Sequence, residues 1–138
     1  MDEMDRPPGL EPLASARPLT PNEAELVRYI VGQIGSTELT EQLQVVDVVS
    51  ECACGCPSIG LTTTGPALSD EAMLRLSDNS RGDSCEIRAW GQNAEGHRVQ
   101  VNLHLVGGRL HELEVWAGWD GSESVTTLPG AETLSMEQ

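Results

Sequence analysis

Between residues 85 and 115 apolar and polar side chains alternate. Cys85, Ile87 and Ala89, then Val99, Val101, Leu103 and Leu105, then Leu113 and Val115 share one parity. Successive side chains of a strand point to opposite faces. The pattern therefore predicts strands over Ser84–Trp90, His97–Val106 and Arg109–Ala117, joined as a meander with one apolar face. The turn Val106-Gly107-Gly108-Arg109 sets the last register. A two-residue loop would put Leu103 and Leu105 on the face opposite Leu113 and Val115. A three-residue loop, with Gly108 left-handed in a bulge, keeps them together and is the loop expected. The other parity carries Glu86, Arg88, Trp90, Arg98, Gln100, Asn102, His104, Glu112, Glu114 and Trp116.

Upstream the period lengthens. Leu26, Val27, Ile30 and Ile34 recur at helical spacing. Thr20 fits an N-cap, Pro21 the first helical position and Glu23 the third, which together make a capping box. Gly35 closes the helix. A second short helix starts at Ser36 or Thr37, with Leu39 and Leu43 on one side. Val45–Cys52 and Ser58–Thr63 read as strands around a tight connection, Ala53–Pro57. Ser69–Leu76 reads as one or two helical turns or a loop, and Ser77–Gly82 as a polar loop. Arg81-Gly82-Asp83 is an adhesion-type tripeptide, too short to carry weight. The expected fold is α+β: two N-terminal helices packed on one face of an antiparallel sheet of about five strands. Residues 1–16, rich in Pro and acid, read as a disordered tail, residues 17–128 as one domain, and residues 129–138 as a frayed end. Val125 and Leu128 are expected to dock back onto the domain.

Charge narrows the partners. With 22 acidic and 8 basic residues among 138, the formal net charge is -14. Nucleic acid and anionic membranes recruit Lys and Arg, so the balance argues against both. It suits a basic protein partner or mimicry of nucleic acid, or serves solubility alone. No apolar run reaches the roughly 18 residues that cross a bilayer, and the acidic, Pro-rich opening lacks the pattern of a secretory signal. The expected location is cytoplasmic, where thiols stay reduced.

Three of the four cysteines fall in Cys52-Ala53-Cys54-Gly55-Cys56-Pro57-Ser58. In extended chain the three would line one face at the tip of a hairpin, with Gly55 and Pro57 interrupting the strand. Three readings stand: half-buried thiols that only pack, a metal site, most readily zinc, or a disulfide. Zinc takes about four ligands, so Cys85, His97, His104 or His111 would have to complete the set. The spacing differs from the paired knuckles of zinc ribbons. A bridge within the triplet would close a small, strained ring, and one from Cys52 or Cys56 to Cys85 is easier.

The second candidate is the polar face of the meander. Arg88, Trp90, Arg98, His104, Glu112, Glu114 and Trp116 form a potential binding surface, because aromatic side chains concentrate at contacts. Carboxylates beside His104 also suit acid–base chemistry, though the same set is what a solvated sheet face looks like. His97 and His111 have core-side parity near strand ends. No serine-centred elbow, paired metal-binding His motif or Cys/His dyad with an orienting group is readable. The chain reads first as a non-enzymatic interaction module of inhibitor or immunity type. The alternatives are a metal-holding domain and an enzyme using the polar face.

Arg17-Pro18-Leu19-Thr20-Pro21, Cys54-Gly55-Cys56-Pro57-Ser58 and Gly107-Gly108-Arg109-Leu110-His111-Glu112-Leu113-Glu114 together resemble a family of small, uncharacterised bacterial proteins. That family opens on a helix, carries a Cys-Gly-Cys-Pro segment and closes on a Gly-Arg-Leu-x-Glu-Leu-Glu strand. The resemblance implies a shared fold over about residues 17–117 and carries over no catalytic or binding residue.

Overall fold

The computed structural model describes residues 9–76, 83–117, 125 and 127–136. The expected loop Ser77–Gly82, the adhesion-type tripeptide except Asp83, and the first eight residues lie outside the described set.

The chain runs β1 (Leu10–Arg17), α1 (Pro21–Ile34), α2 (Thr37–Leu43), β2 (Val46–Cys52), β3 (Ile59–Thr63), α3 (Asp70–Leu76), β4 (Ser84–Gln92), β5 (Arg98–Val106), β6 (Arg109–Ala117) and β7 (Ser135–Met136). The strands form one antiparallel sheet in the order β1-β2-β3-β6-β5-β4-β7. The class is α+β, as the pattern predicts, but the architecture is not two helices on about five strands. Among the described residues, three helices accompany seven strands.

Both additional strands lie at the sheet edges, for a physical reason. Edge strands tolerate Pro and need only main-chain pairing. Leu10–Arg17 pairs with β2 through Leu10 opposite Cys52 and Pro12 opposite Ser50, then slips to Arg17 opposite Val48. Only Leu10, Leu13 and Arg17 of this strand are half-buried, so no alternation marks it. At the other end, a short 3-10 turn over Ala131–Thr133 leads into β7, which pairs with Ala89 and Trp90. Leu134 is buried, and Tyr29 of α1 donates its hydroxyl proton to the Leu134 carbonyl at 3.1 Å. Residues 131–136, part of the stretch expected to fray, are therefore tied to the domain, and residues 137–138 lie outside the described set. Val125 joins the core and Leu128 packs against it.

The capping box forms as the residues predict. Thr20 Oγ1 accepts from the Glu23 amide at 3.2 Å, and Glu23 Oε1 accepts from the Thr20 amide at 2.8 Å. Arg17 forks onto both Glu23 oxygens at 2.9 and 3.1 Å and reaches Glu51 of β2. Burial pushes the Glu23 carboxyl up, but the bonds from Arg17 and Thr20 outweigh it and hold the acid below its usual range. One guanidinium thus pins the end of β1, the start of α1 and the flank of β2. Leu26, Val27, Ile30 and Val31 of α1 are buried, each contributing about 1.5–3 kcal/mol through burial.

The meander keeps its apolar residues on one side, with Leu103 opposite Leu113 and Val101 opposite Val115. All four are buried at 1 % exposure or less. The loop that achieves this differs from the expected one. Val106 pairs directly with Arg109, and both Gly107 and Gly108 have positive φ, 61° and 80°. That is a two-residue loop of the kind that needs left-handed residues. Parity is restored one step later: Leu105 pairs with Leu110 and His104 with Glu112, so His111 is the extra residue of a bulge. The bulge explains why His111 is exposed despite its parity.

Candidate functional site

The β2–β3 hairpin carries three thiols at one rim of the sheet. β2 ends at Cys52, the chain turns through Ala53-Cys54-Gly55-Cys56-Pro57, and β3 begins at Ile59. Gly55 sits at φ 89°, a conformation that suits glycine. The tip is held by the main chain: the Cys52 amide donates to Ser58 O at 3.3 Å, Gly55 to Cys52 O at 3.2 Å, and Ala53 to Gly9 O at 3.0 Å.

Ser58 extends the ladder from this tip into the sheet. Only Ile59 and Gly60 of β3 pair with β6. Beyond them, Ser58 Oγ accepts from the Val115 amide at 2.9 Å and donates to the Val115 carbonyl at 3.2 Å. The Cys56 thiol points back to the same hydroxyl at 3.5 Å. Nothing in the sequence pattern singles Ser58 out.

No disulfide joins any of the four cysteines. The Sγ atoms of Cys52, Cys54 and Cys56 lie within 4.8 Å of one another, and those of Cys52 and Cys54 are 3.0 Å apart. Cys54 is exposed, whereas Cys52 and Cys56 are half-buried. Burial, followed by the contact with Cys54, pushes the Cys52 thiol up to about 12. The hydrogen bond from Cys52 and the Cys56 amide, 3.4 Å away, pull Cys54 below its ordinary value. These contacts favour the thiolate form of the exposed Cys54. Thiolates, not thiols, are the metal ligands, and this set suits thiophilic ions.

None of the candidate fourth ligands joins the three. Cys85 is buried in β4, opposite Leu105, with β5 and β6 between it and β3. His111 sits in the bulge near the Gly107-Gly108 turn, at the end of β6 away from Val115. His97 is exposed in the turn before β5. His104 belongs to a different cluster, with Glu86 and Glu114.

That second cluster lies on the polar face of the meander. Arg88, Trp90, Arg98, His104, Glu112, Glu114 and Trp116 share this face, through pairs such as Arg88 with Asn102, Trp90 with Gln100, and His104 with Glu112. The Arg98 guanidinium stacks 4.2 Å from the Trp90 ring centroid. The centre of the face is not solvated: Gln100 and Asn102 are 5 % and 1 % exposed. They join a polar chain in which Gln100 donates to Asn102 at 2.9 Å and Asn102 to Glu114 at 3.2 Å. His104 Nε2 meets the same Glu114 oxygen at 3.0 Å. Glu114 raises His104, and His104 lowers Glu114, as expected of a charge-assisted pair. Burial pushes the neighbouring Glu112 carboxyl up. A cavity of about 320 Å³ opens beside this chain, lined by Glu86, Arg88, His104, His111 and Glu112 among others. Arg88 Nε sits 3.3 Å from Glu86, a second ion pair on this face beside His104 with Glu114.

Among the described residues no helix is long and apolar enough to cross a membrane. Comparison of the chain with protein-family models, with curated proteins and with solved structures finds no match.

Proposed function

We propose that the protein is a non-enzymatic binding module whose working centre is a thiolate metal site at the β2–β3 tip. One observation carries the reading: three sulfur atoms lie within 4.8 Å of one another on a tip that the main chain and Ser58 hold in place. Packing alone does not account for it, since Cys54 is exposed and none of the three belongs to the buried core, whereas Cys85 does. The test is elemental analysis of protein expressed with zinc and copper and purified reduced, without chelator. About one metal per chain is expected, falling to background in Cys54→Ser; less than about 0.1 per chain removes the reading.

A second reading, a basic protein partner on the β4–β6 face, is supported by the net charge of -14 and by the half-exposed Trp90 and Trp116. It expects one stoichiometric basic protein to co-purify, with salt-dependent affinity. A clean monomer at every salt concentration counts against it.

A further inference from the structure

We propose that the tip takes a soft monovalent ion, Cu(I), in three-coordinate thiolate geometry, and holds it as an exchangeable cargo rather than as a staple of the fold. The inference rests on the thiolate reading above and names the ion and its role.

The donor count decides the geometry. Zinc in structural sites takes four protein ligands. Here three sulfurs gather, and no other Cys, His, Asp or Glu ligand atom among the described residues joins them. Cys85 lies three strand spacings from β3 in the sheet order, about 14 Å at ~4.8 Å per spacing. The adjacent Glu51 is held by Arg17 at 3.0 Å, and the Ser58 hydroxyl is committed to both polar atoms of Val115. An all-sulfur set with no nitrogen or oxygen partner selects soft ions, Cu(I) foremost.

The dimensions agree. For metal–sulfur bonds of about 2.3 Å, a planar three-coordinate ion needs sulfur–sulfur edges of about 4.0 Å. The present edges all lie under 4.8 Å. The shortest, 3.0 Å between Cys52 and Cys54, has to open by about 1 Å. Cys54, the exposed member, is free of core packing and can swing outward by that much.

The location decides the role. Ala53, Cys54 and Gly55 are exposed at the rim, so an incoming thiolate can reach the ion and replace one ligand at a time. The fold does not wait for the metal, because the tip is already tied by Ser58 to Val115 and by the Ala53 amide to Gly9. Structural zinc, in contrast, supplies folding free energy outright. On binding, three copper–sulfur bonds form and each thiol still protonated loses its S–H proton to solvent. Copper stays Cu(I), so no oxidant or reductant is consumed.

The experiment is anaerobic competition for Cu(I) against bicinchoninate, followed by the colour of the Cu(I)–bicinchoninate complex, with a parallel Zn(II) titration. Wild type is expected to take one Cu(I) per chain and to keep it when zinc is added in excess. Loss of a second-shell partner costs 10–100-fold in metal affinity, so Cys52→Ser, Cys54→Ser and Cys56→Ser should each lose about 100-fold or more. Cys85→Ser should leave affinity unchanged. Circular dichroism of the metal-free protein should show the same sheet signal and cooperative melt as the loaded form. Zinc held against Cu(I), or a metal-free chain that is unfolded, overturns the three-coordinate cargo site and leaves the thiolate reading in place. Retention of neither metal overturns both.

Discussion

Ser58 is where the fold and the thiol tip meet, and Ser58→Ala tests that junction. The hydroxyl is one acceptor and one donor for Val115, at 2.9 and 3.2 Å. Ser58 is 6 % and Val115 1 % exposed, so water has little access to take its place. Leaving a buried donor without a partner costs about 1–3 kcal/mol, and losing the bond to the carbonyl adds about 1 kcal/mol. The expected destabilisation is therefore about 2–4 kcal/mol. Urea unfolding followed by tryptophan fluorescence measures it, at about 1–3 kcal/mol per molar urea. The comparison is Ser69→Ala, where a hydroxyl accepting from the Ala72 amide at 3.1 Å is exposed. That helix-start change should cost about 1 kcal/mol or less. Because the Cys56 thiol also leans on Ser58, Ser58→Ala should weaken metal capture under conditions where the protein is still folded. Equal costs for the two serines, both below about 1 kcal/mol, would refute the claim that Ser58 continues the β3–β6 ladder.

Three further outcomes are expected. Gln42 is fully buried, donating to Pro66 O at 2.6 Å and Gly108 O at 2.9 Å and accepting from the Leu110 amide at 2.9 Å. Gln42→Met, which keeps the volume, should cost about 3–5 kcal/mol in a urea melt through orphaned backbone groups; a cost under 1 kcal/mol contradicts that role. Glu114 raises His104, so the imidazolium's contribution is complete below the ordinary 6.5 and disappears as pH rises through the folded value. His104 lowers Glu114, whose contribution is present above 4.5 and lost as pH falls through its folded value. The stability gap between wild type and His104→Gln should therefore peak between pH 4.5 and 6.5 and shrink by pH 8; a flat gap refutes the pairing. In the metal-free protein Cys54, exposed and drawn below its ordinary value, should alkylate before Cys52, Cys56 and Cys85 when iodoacetamide adducts are mapped by mass spectrometry. Faster modification of Cys85 would contradict its burial at 3 % exposure.

Local chemistry made much of the fold legible. The Thr20-Pro21-Glu23 cap places the start of α1, because a cap is satisfied by neighbours three residues away. Alternation from Cys85 to Val115 assigns the buried side of β4, β5 and β6, because strand geometry ties parity to face. The thiol spacing also announces the tip. What the chain alone leaves open are relations between distant segments. The Gly107-Gly108 pair allows two loops with opposite consequences, and only the packing of Leu103 against Leu113 places the compensating bulge at His111. β1 and β7 have no side-chain signature, since edges are held by main-chain hydrogen bonds that every residue but Pro can make. Gln42 shares its helix face with Leu39, which hints at burial, yet its partners come from residues 24 to 68 positions away. The separation of Cys85 from the tip thiols is decided the same way: the sheet order puts Cys85 on the far side of β5 and β6. Spacing along a chain sets which side chains face together, but only the assembled sheet sets which faces meet.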